Sequence, residues 1–407
     1  MKQSYIIDGV RTPFGKFRGA LSTIRTDDLA AIPIKALVDR YANIPKNMYD
    51  EVILGCANQA GEDNRNVARM SLLLAGLPVS VPGETVNRLC ASGMSSIIHA
   101  NRAIKSGDGD LFIAGGVEHM TRGPWVISKT SMPFGIDAIM HDSSFGWRFV
   151  NKKMKNLYGT ESMGLTAENL AKKYGITREA QDAFAMQSQK KAAEAQLNGR
   201  LDKEITPVEV PQRKSDPIIF DKDEFIRPDT SMAILSNLKT AFKIQSDGGT
   251  VTAGNASGLN DGAAAVLIAS EDAVTRYGLK PLARIVSSAV VGVEPSIMGI
   301  GPVYAAKKAL QKAGLTLDDI GIIEINEAFS AQVLACTRLL GLSDYDIRIN
   351  PNGGAIAIGH PLGASGSRIV HTAALELLEQ KKRFALVTMC VGVGQGYAVI
   401  IENIYNK

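Results

Sequence analysis

Two cysteines and a histidine in this sequence sit among glycines and other small residues, a setting that lets a side chain react and be approached. Cys90 lies in Asn87-Arg88-Leu89-Cys90-Ala91-Ser92-Gly93-Met94, where the small residues permit a sharp turn into a helical pattern carried by Ile97, Ile98 and Ile104. A thiol at a helix N-terminus is biased towards the nucleophilic thiolate by backbone N–H groups and the helix dipole. The same position also suits a small buried core cysteine. His360 is wedged between Gly359 and Pro361 in a stretch that opens Asn350-Pro351-Asn352-Gly353-Gly354 and ends at Gly363. Imidazole in such a loop takes a proton from a thiol near neutral pH, although a lone histidine equally fits a structural role.

Cys390 stands in Thr388-Met389-Cys390-Val391-Gly392-Val393-Gly394-Gln395-Gly396, between the apolar runs 384–387 and 397–401. A dinucleotide-binding loop would open a helix here, whereas this one returns as a strand. Its glycines therefore build a hairpin-like loop beside Cys390. Asn326, in Asn326-Glu327-Ala328-Phe329, follows the apolar run 320–325. An amide there orients a water or a carbonyl oxygen, or caps the next helix. The loop Val251-Thr252-Ala253-Gly254-Asn255-Ala256-Ser257-Gly258 suits backbone contact with an extended ligand, and suits a structural turn as well.

The elements that must hold these residues alternate. Short apolar runs such as Val52-Ile53-Leu54 and Leu111-Phe112-Ile113-Ala114 are separated by amphipathic stretches, an α/β signature. The chain also resembles itself: Ser92-Gly93, a helical stretch and Leu111-Phe112-Ile113-Ala114 match Ser365-Gly366, a helical stretch and Phe384-Ala385-Leu386-Val387. Both spacings are 273 residues, from 92 to 365 and from 111 to 384. A duplicated core is expected. From about 121 to 250 the texture changes to lysine clusters, an expected long helix over 177–197 stopped by Asn198-Gly199, and irregular sequence with four prolines, read as an insertion covering one face of the core.

Composition removes several classes of function. The chain has 407 residues, 45% hydrophobic and 21% charged, enough apolar surface for a packed interior over two to three domains. Its 45 basic and 41 acidic residues are interspersed, which argues against a nucleic-acid groove, while the net +4 suits a polyanionic small molecule. Four cysteines without a CxxC pair give neither a disulfide framework nor a zinc site, and no metal site emerges. No apolar run nears the ~18 residues of a membrane helix, and neither end reads as a signal peptide or peroxisomal address, so a cytoplasmic location is expected.

Taken together, Asn-Arg-Leu-Cys90-Ala-Ser-Gly, Asn326-Glu-Ala-Phe, Gly-Gly-Ala-Ile-Ala-Ile-Gly-His360-Pro-Leu-Gly and Cys390-Val-Gly-Val-Gly-Gln-Gly resemble the signature set of the thiolases, in the family's order and across essentially the whole chain. The resemblance implies the thiolase fold, two similar five-layered α/β/α/β/α halves with an inserted loop domain. The halves are expected at 1–120, completed by 251–280, and at 281–407, with the loop domain at 121–250. It implies CoA-dependent thiolysis of a 3-oxoacyl-CoA, and the reverse Claisen condensation. Cys90 would be the acylated nucleophile, His360 its activator and Cys390 the acid/base. Asn326 would hold a water that stabilises the thioester enolate oxygen with His360, and the N–H groups of Cys90 and Gly392 would form a second oxyanion site. Coenzyme A is expected as substrate, with no other cofactor. Ser257 would lie near the pantetheine, Arg227 near the nucleotide end, and Met163, Phe242, Ala328 and Phe329 along the tunnel. Thiolases are usually dimers or tetramers, so a homodimer or homotetramer is expected.

The acyl chain is less uniform in its signals. Short-chain biosynthetic thiolases usually carry His-Met-Gly where this chain has Ser162-Met163-Gly164. Segments 54–69 and 146–149, the latter Gly146-Trp147-Arg148-Phe149, resemble the thiolases that cleave 3-oxoadipyl-CoA and point to a dicarboxylate. Those enzymes commonly read Met-Pro-Glu-Thr where this chain reads Met163-Gly164-Leu165-Thr166, closer to fatty-acid thiolases. The alternatives are a 3-oxoadipyl-CoA thiolase, an acetoacetyl-CoA-forming acetyltransferase and an inactive thiolase-like lipid-binding protein. β-Ketoacyl synthases use two histidines, and a cysteine hydrolase would have no use for Cys390.

Overall fold

Strands that bury both faces must be apolar along their whole length rather than at alternate positions. Residues 111–117 and 262–269 meet that demand, and the strands 111–119 and 260–270 that contain them are buried at every position, their polar residues confined to the ends. The computed structural model describes residues 2–144 and 146–406. The strands β1 (Ser4–Arg11), β2 (Gly15–Lys16), β3 (Glu51–Gly55), β4 (Gly83–Val86) and β5 (Leu111–His119) come first. Two short hairpins follow, β6 (Trp125–Ile127) with β7 (Met140–Asp142) and β8 (Val208–Val210) with β9 (Ile218–Phe220). Then come β10 (Asn260–Ser270), β11 (Ala283–Gly292), β12 (Ile320–Ile325), β13 (Phe384–Val391) and β14 (Gln395–Glu402).

Ten of these strands form one sheet in the order β12-β13-β14-β11-β1-β10-β5-β3-β4, with β2 on β10. The order contains its own repeat. β3 pairs β5 in parallel, β5 pairs β10 antiparallel and β10 pairs β1 antiparallel. β12, β13, β14 and β11 repeat those relations in the same sequence. The two sets join where Tyr5 and Ile6 of β1 pair Arg284 and Ala283 of β11.

Alternation along the strands sorts side chains into layers. In β5, Leu111, Ile113 and Val117 face a cluster with Leu29, Ile34 and Leu37 of the helix Thr26–Arg40, while Phe112 and Ala114 face the opposite way. In β13, Leu386 faces a cluster with Val303 and Ala306 of the helix Gly301–Ala313, while Ala385 and Val387 turn to the other side. Between the two halves of this sheet lie the helices Ser92–Ser106 and Leu362–Glu379, whose Ile97, Ile98 and Ile104 meet Ile369, Val370 and Leu377 in one core. The layers therefore run α/β/α/β/α, with one helix of the central pair from each half.

These two helices come together because small residues line their contact. A Cβ on Gly93 would stand 2.5 Å from the Gly363 carbonyl oxygen, and one on Gly366 would stand 2.4 Å from the Met94 nitrogen. Between β5 and β10 the chain forms both small hairpins and several helices. The helix expected over 177–197 spans Arg178–Leu197, and the Thr177 side chain accepts the Ala180 N–H at 3.2 Å as its N-cap.

Candidate active site

The turn before the helix Ser92–Ser106 is held by its own side chains. Asn87 Oδ1 accepts the Leu89 N–H at 2.9 Å, and Ser92 Oγ accepts the Arg88 N–H at 2.9 Å while donating to the Leu89 carbonyl at 2.7 Å. Leu89 is left-handed at φ 46°, a conformation a branched side chain adopts only when its surroundings impose it. The next residue, Cys90, is half-buried at the mouth of this turn.

Two backbone N–H groups, those of Gly392 and of Cys90 itself, face the Cys90 sulfur. They are the pair expected to form an oxyanion site. Burial nevertheless outweighs them and pushes the thiol up to about 11. The expectation that the helix N-terminus would favour thiolate is therefore corrected: desolvation dominates, and the resting group is a thiol that needs a base.

His360 is fixed by the loop that leads into the helix Leu362–Glu379. Gly359, at φ 110°, turns the chain so that Asn260 Oδ1 accepts the His360 N–H at 2.9 Å, and a Cβ on Gly359 would stand 2.5 Å from the Asn260 side chain. The His360 ring is buried, with Nδ1 2.7 Å from Ser365 Oγ and Nε2 3.3 Å from Asn326 Nδ2. Ser365 gives its hydroxyl proton to the Pro361 carbonyl at 2.9 Å, so it accepts from Nδ1–H. This assigns the tautomer and leaves Nε2 as an acceptor. Burial, helped by the Arg368 charge, lowers the imidazole to about 3 and keeps it neutral.

Asn326 is fully buried at the end of β12 and donates its N–H to the Thr388 carbonyl at 3.0 Å. Its Oδ1 has no partner among the described residues. The helix-cap reading falls, because the following helix starts at Ser330 with Phe329 in the cap position. Cys390 lies buried near the end of β13, opposite Gly396 of β14. Burial, reinforced by its neighbours Cys90 and Cys336, pushes its thiol well above the ordinary value. The hairpin expected here is the β13–β14 pair, and a Cβ on Gly392 would stand 3.1 Å from Leu89 Cδ1 and 3.7 Å from Met163 Sδ.

The structure thus places Cys90, Cys390, Gly392 and Met163 around one spot and joins Asn326 to His360. No hydrogen bond links His360 to either sulfur among the described residues, and such contacts often tighten only around substrate. Ser257 donates its N–H and Oγ–H to the Ala328 carbonyl at 3.0 and 3.1 Å, which puts it beside Ala328 and Phe329. Phe329 packs edge-on against Phe242 at 6.1 Å, and Phe242 presses on Gly164, next to Met163. Arg227 is exposed and lies apart from this group, stacked on Phe225, whose ring in turn touches Gly258.

Three neighbours of the site were not legible as such. Ser365 was visible only through the internal repeat, and Asn260 only as part of a small-residue loop. Glu118, near the end of β5, carried no motif. Its buried carboxylate accepts the N–H groups of Ala57, Asn58 and Gly363 at 2.9 to 3.0 Å, tying the two halves together beside Cys90, and burial raises it to about 7. Among the described residues no group of side chains has the composition of a metal site.

Two neighbouring cysteines and a neutral imidazole, brought together from distant segments of a duplicated α/β core, agree with what the comparisons with known proteins find. The family described as thiolase, N-terminal domain, matches residues 4–272, and thiolase, C-terminal domain, matches 279–403. The chain belongs to the thiolase family. It is an acyltransferase that uses CoA as a substrate. It is 56% identical to a beta-ketoadipyl-CoA thiolase of Acinetobacter baylyi over 404 residues, covering 99% of this chain and 100% of that protein. With the 3-oxoadipyl-CoA/3-oxo-5,6-dehydrosuberyl-CoA thiolase of Escherichia coli it shares 53% over the same coverage. The crystal structure of human mitochondrial 3-ketoacyl-CoA thiolase in complex with CoA superposes with a TM-score of 0.90 at 40% identity, covering 99% of this chain and 98% of that one.

Proposed function

We propose that this thiolase cleaves 3-oxoadipyl-CoA, or a close 3-oxo-dicarboxylyl thioester, with CoA to acetyl-CoA and a shortened dicarboxylyl-CoA. The observation that carries the chemistry is the meeting of Cys90 and Cys390 across the two halves with the Gly392 N–H directed at the nucleophile. The names of the relatives above 50% identity support the acyl chain.

Cys90 attacks the 3-keto carbon as its proton passes to His360 Nε2. The bond between C2 and C3 then breaks, its electron pair stays on the acetyl-CoA enolate, and Cys390 protonates that carbon. The resulting Cys390 thiolate takes the proton of a second CoA, whose sulfur displaces the acyl group from Cys90, and His360 returns its proton to Cys90. Charge on the enolate oxygen falls to Asn326, through a held water, and His360. Charge on the tetrahedral oxygen falls to the N–H groups of Cys90 and Gly392. Ser257, Met163, Phe242, Ala328 and Phe329 serve the pantetheine side, and Arg227 the nucleotide end.

The proposal extends to the organisation of the chain. Residues 121–250 act as the loop domain over the two halves 1–120 with 251–280 and 281–407. A homodimer or homotetramer is supported by exposed apolar side chains such as Trp125, Ile127 and Phe134 on and beside the β6–β7 hairpin. A cytoplasmic setting suits four free cysteines, two of which must stay reduced to react. No described helix is long and apolar enough to cross a membrane.

A thiolysis panel of acetoacetyl-, 3-oxohexanoyl-, longer 3-oxoacyl- and 3-oxoadipyl-CoA tests the substrate reading. The highest kcat/KM is expected for 3-oxoadipyl-CoA, and a preference for any of the neutral chains overturns it.

A further inference from the structure

A cavity of about 150 Å³ lies against the nucleophile's turn, with Leu89, Asn58, Glu118, Ser143, Arg148 and Leu362 among its walls. Leu89 immediately precedes Cys90, and Leu362 starts the helix that follows His360. The volume is that of cavities that take up a molecule of about benzene's size, the scale of a short acyl arm. In the attack on C3, the portion of the acyl chain beyond that carbon is what becomes attached to Cys90. That portion ends in a carboxylate when the substrate is a dicarboxylyl thioester.

Arg148 is the cationic side chain on this wall and is half-buried. Its Nη1 donates to the Ser143 carbonyl at 3.0 Å and its Nη2 to Asn58 Oδ1 at 3.3 Å. Both acceptors are neutral, and they engage two of the five N–H donors of a guanidinium. Arg11, Arg122 and Arg178 are committed to carboxylates, Asp223, Glu62 and Asp182, whereas Arg88, like Arg148, bonds neutral acceptors but does not line this cavity. Arg148 forms no ion pair among the described residues. Glu118, on the same wall, is held instead by three backbone N–H groups.

We propose that Arg148 binds the terminal carboxylate of the acyl chain in this cavity and so selects ω-carboxylated 3-oxoacyl thioesters. The inference rests on the dicarboxylate reading given under Proposed function. A planar guanidinium fork pairs with a carboxylate through two parallel hydrogen bonds, an arrangement an ammonium does not reproduce. Asn58 and the Ser143 carbonyl hold the fork in place before substrate arrives, so little side-chain ordering is left for the binding step.

The experiment compares kcat/KM for thiolysis of 3-oxoadipyl-CoA and of 3-oxohexanoyl-CoA, which has the same carbon count and a methyl end. The proteins are the full chain and its Arg148→Met and Arg148→Lys variants, with thermal unfolding monitored for each. The wild type is expected to prefer the dicarboxylyl substrate. The ratio should fall by about 10- to 100-fold in Arg148→Met, and by a smaller factor in Arg148→Lys, which keeps the charge but not the fork. A preserved wild-type preference with an unchanged ratio in the folded variants overturns the role of Arg148 and leaves the substrate reading standing. Absence of the preference in the wild type overturns the substrate reading and this inference with it. If Arg148→Met does not fold, the Arg148→Lys ratio decides.

Discussion

β5 and β13 occupy the same place in the two halves, and each pairs with an antiparallel neighbour, β10 or β14. In the C-terminal half the passage between the strands takes residues 392–394, with Val393 at φ 61° and Gly394 at φ 81°. In the N-terminal half it takes residues 120–259. The tight version holds Gly392 against Leu89, with Cys390 beside Cys90. The expanded version carries Met163 and Phe242, and the cavity residues Ser143 and Arg148. In the proposed function the short hairpin serves the reaction and its expanded counterpart provides the place for substrate. The entrances to the two central helices diverge in the same manner: Cys90 stands two residues before Ser92, and His360 two residues before Leu362. Duplication brings the entrances of two related helices to one point, and in the proposed reaction one carries the nucleophile and the other the base.

The severest test removes the nucleophile from its entrance. Cys90→Ala is expected to lower thiolysis by about 10⁴-fold or more and to abolish the covalent adduct formed from a 3-oxoacyl-CoA without free CoA, as read by intact mass. An adduct on another residue reverses the roles assigned to the two sulfurs. Wild-type Cys90 also has a pH signature. Because its thiol is pushed up to about 11 and His360 is neutral down to about 3, alkylation of Cys90 by iodoacetamide should keep rising through pH 9. A plateau near pH 7, measured by peptide mass, would mean a preformed ion pair.

Next in size is the donor contributed by the C-terminal half alone. Asn326→Ala removes the side chain that meets His360 Nε2 and is expected to cost about 10²–10³ in kcat, the range for loss of one oxyanion donor. Acetylation of Cys90 by acetyl-CoA, which passes through no enolate, should still occur, since the N–H groups of Cys90 and Gly392 remain, whereas acylation from a 3-oxoacyl-CoA should slow together with acetyl-CoA formation in stopped flow. Loss of the acetylation by acetyl-CoA would place Asn326 on the nucleophile's side of the comparison.

The contact between the halves is tested through stability. Gly93→Ala drives a methyl group to 2.5 Å from the Gly363 carbonyl oxygen, backbone against backbone, so one helix has to move. A destabilisation of about 1–3 kcal/mol is expected in denaturant unfolding. An unchanged midpoint would show that the central helices are free to slide apart.

Much of this arrangement is legible in the chain. The alternation of apolar runs, the 273-residue repeat and the return of residues 395–402 as a strand all express local periodicity, which sequence carries directly. The reactive residues are legible because their glycine-rich loops are unusual in composition. What could not be read is convergence. Asn260 and His360 are 100 residues apart, Glu118 and Gly363 are 245 apart, and neither pair has a pattern linking its members. The charge state of Cys90 escapes the sequence for a related reason. A helix N-terminus is a local feature, whereas the desolvation that dominates comes from the packing of both halves. Arg148 was visible only within a resembling segment, since the cavity that gives it meaning is assembled from residues 57–362.

The smallest expected effect is the most discriminating for the base. Ser365 touches neither sulfur; it takes the Nδ1–H of His360 at 2.7 Å and passes its own proton to Pro361 at 2.9 Å. Its proposed work is to hold the imidazole in the tautomer whose Nε2 accepts. Ser365→Ala is expected to lower kcat by about two- to tenfold, the value of one neutral hydrogen bond, with KM for CoA little changed. Ser365→Thr, which keeps the hydroxyl, should recover most of the loss. On the nucleophile's side, Ser92 likewise accepts a backbone N–H and donates to a carbonyl, but it positions main chain and not a reacting ring. Ser92→Ala should therefore register in unfolding more than in kcat. If Ser365→Ala also lost stability and kept kcat, the two serines would be equivalent struts, and the imidazole would owe its orientation to Asn326 instead.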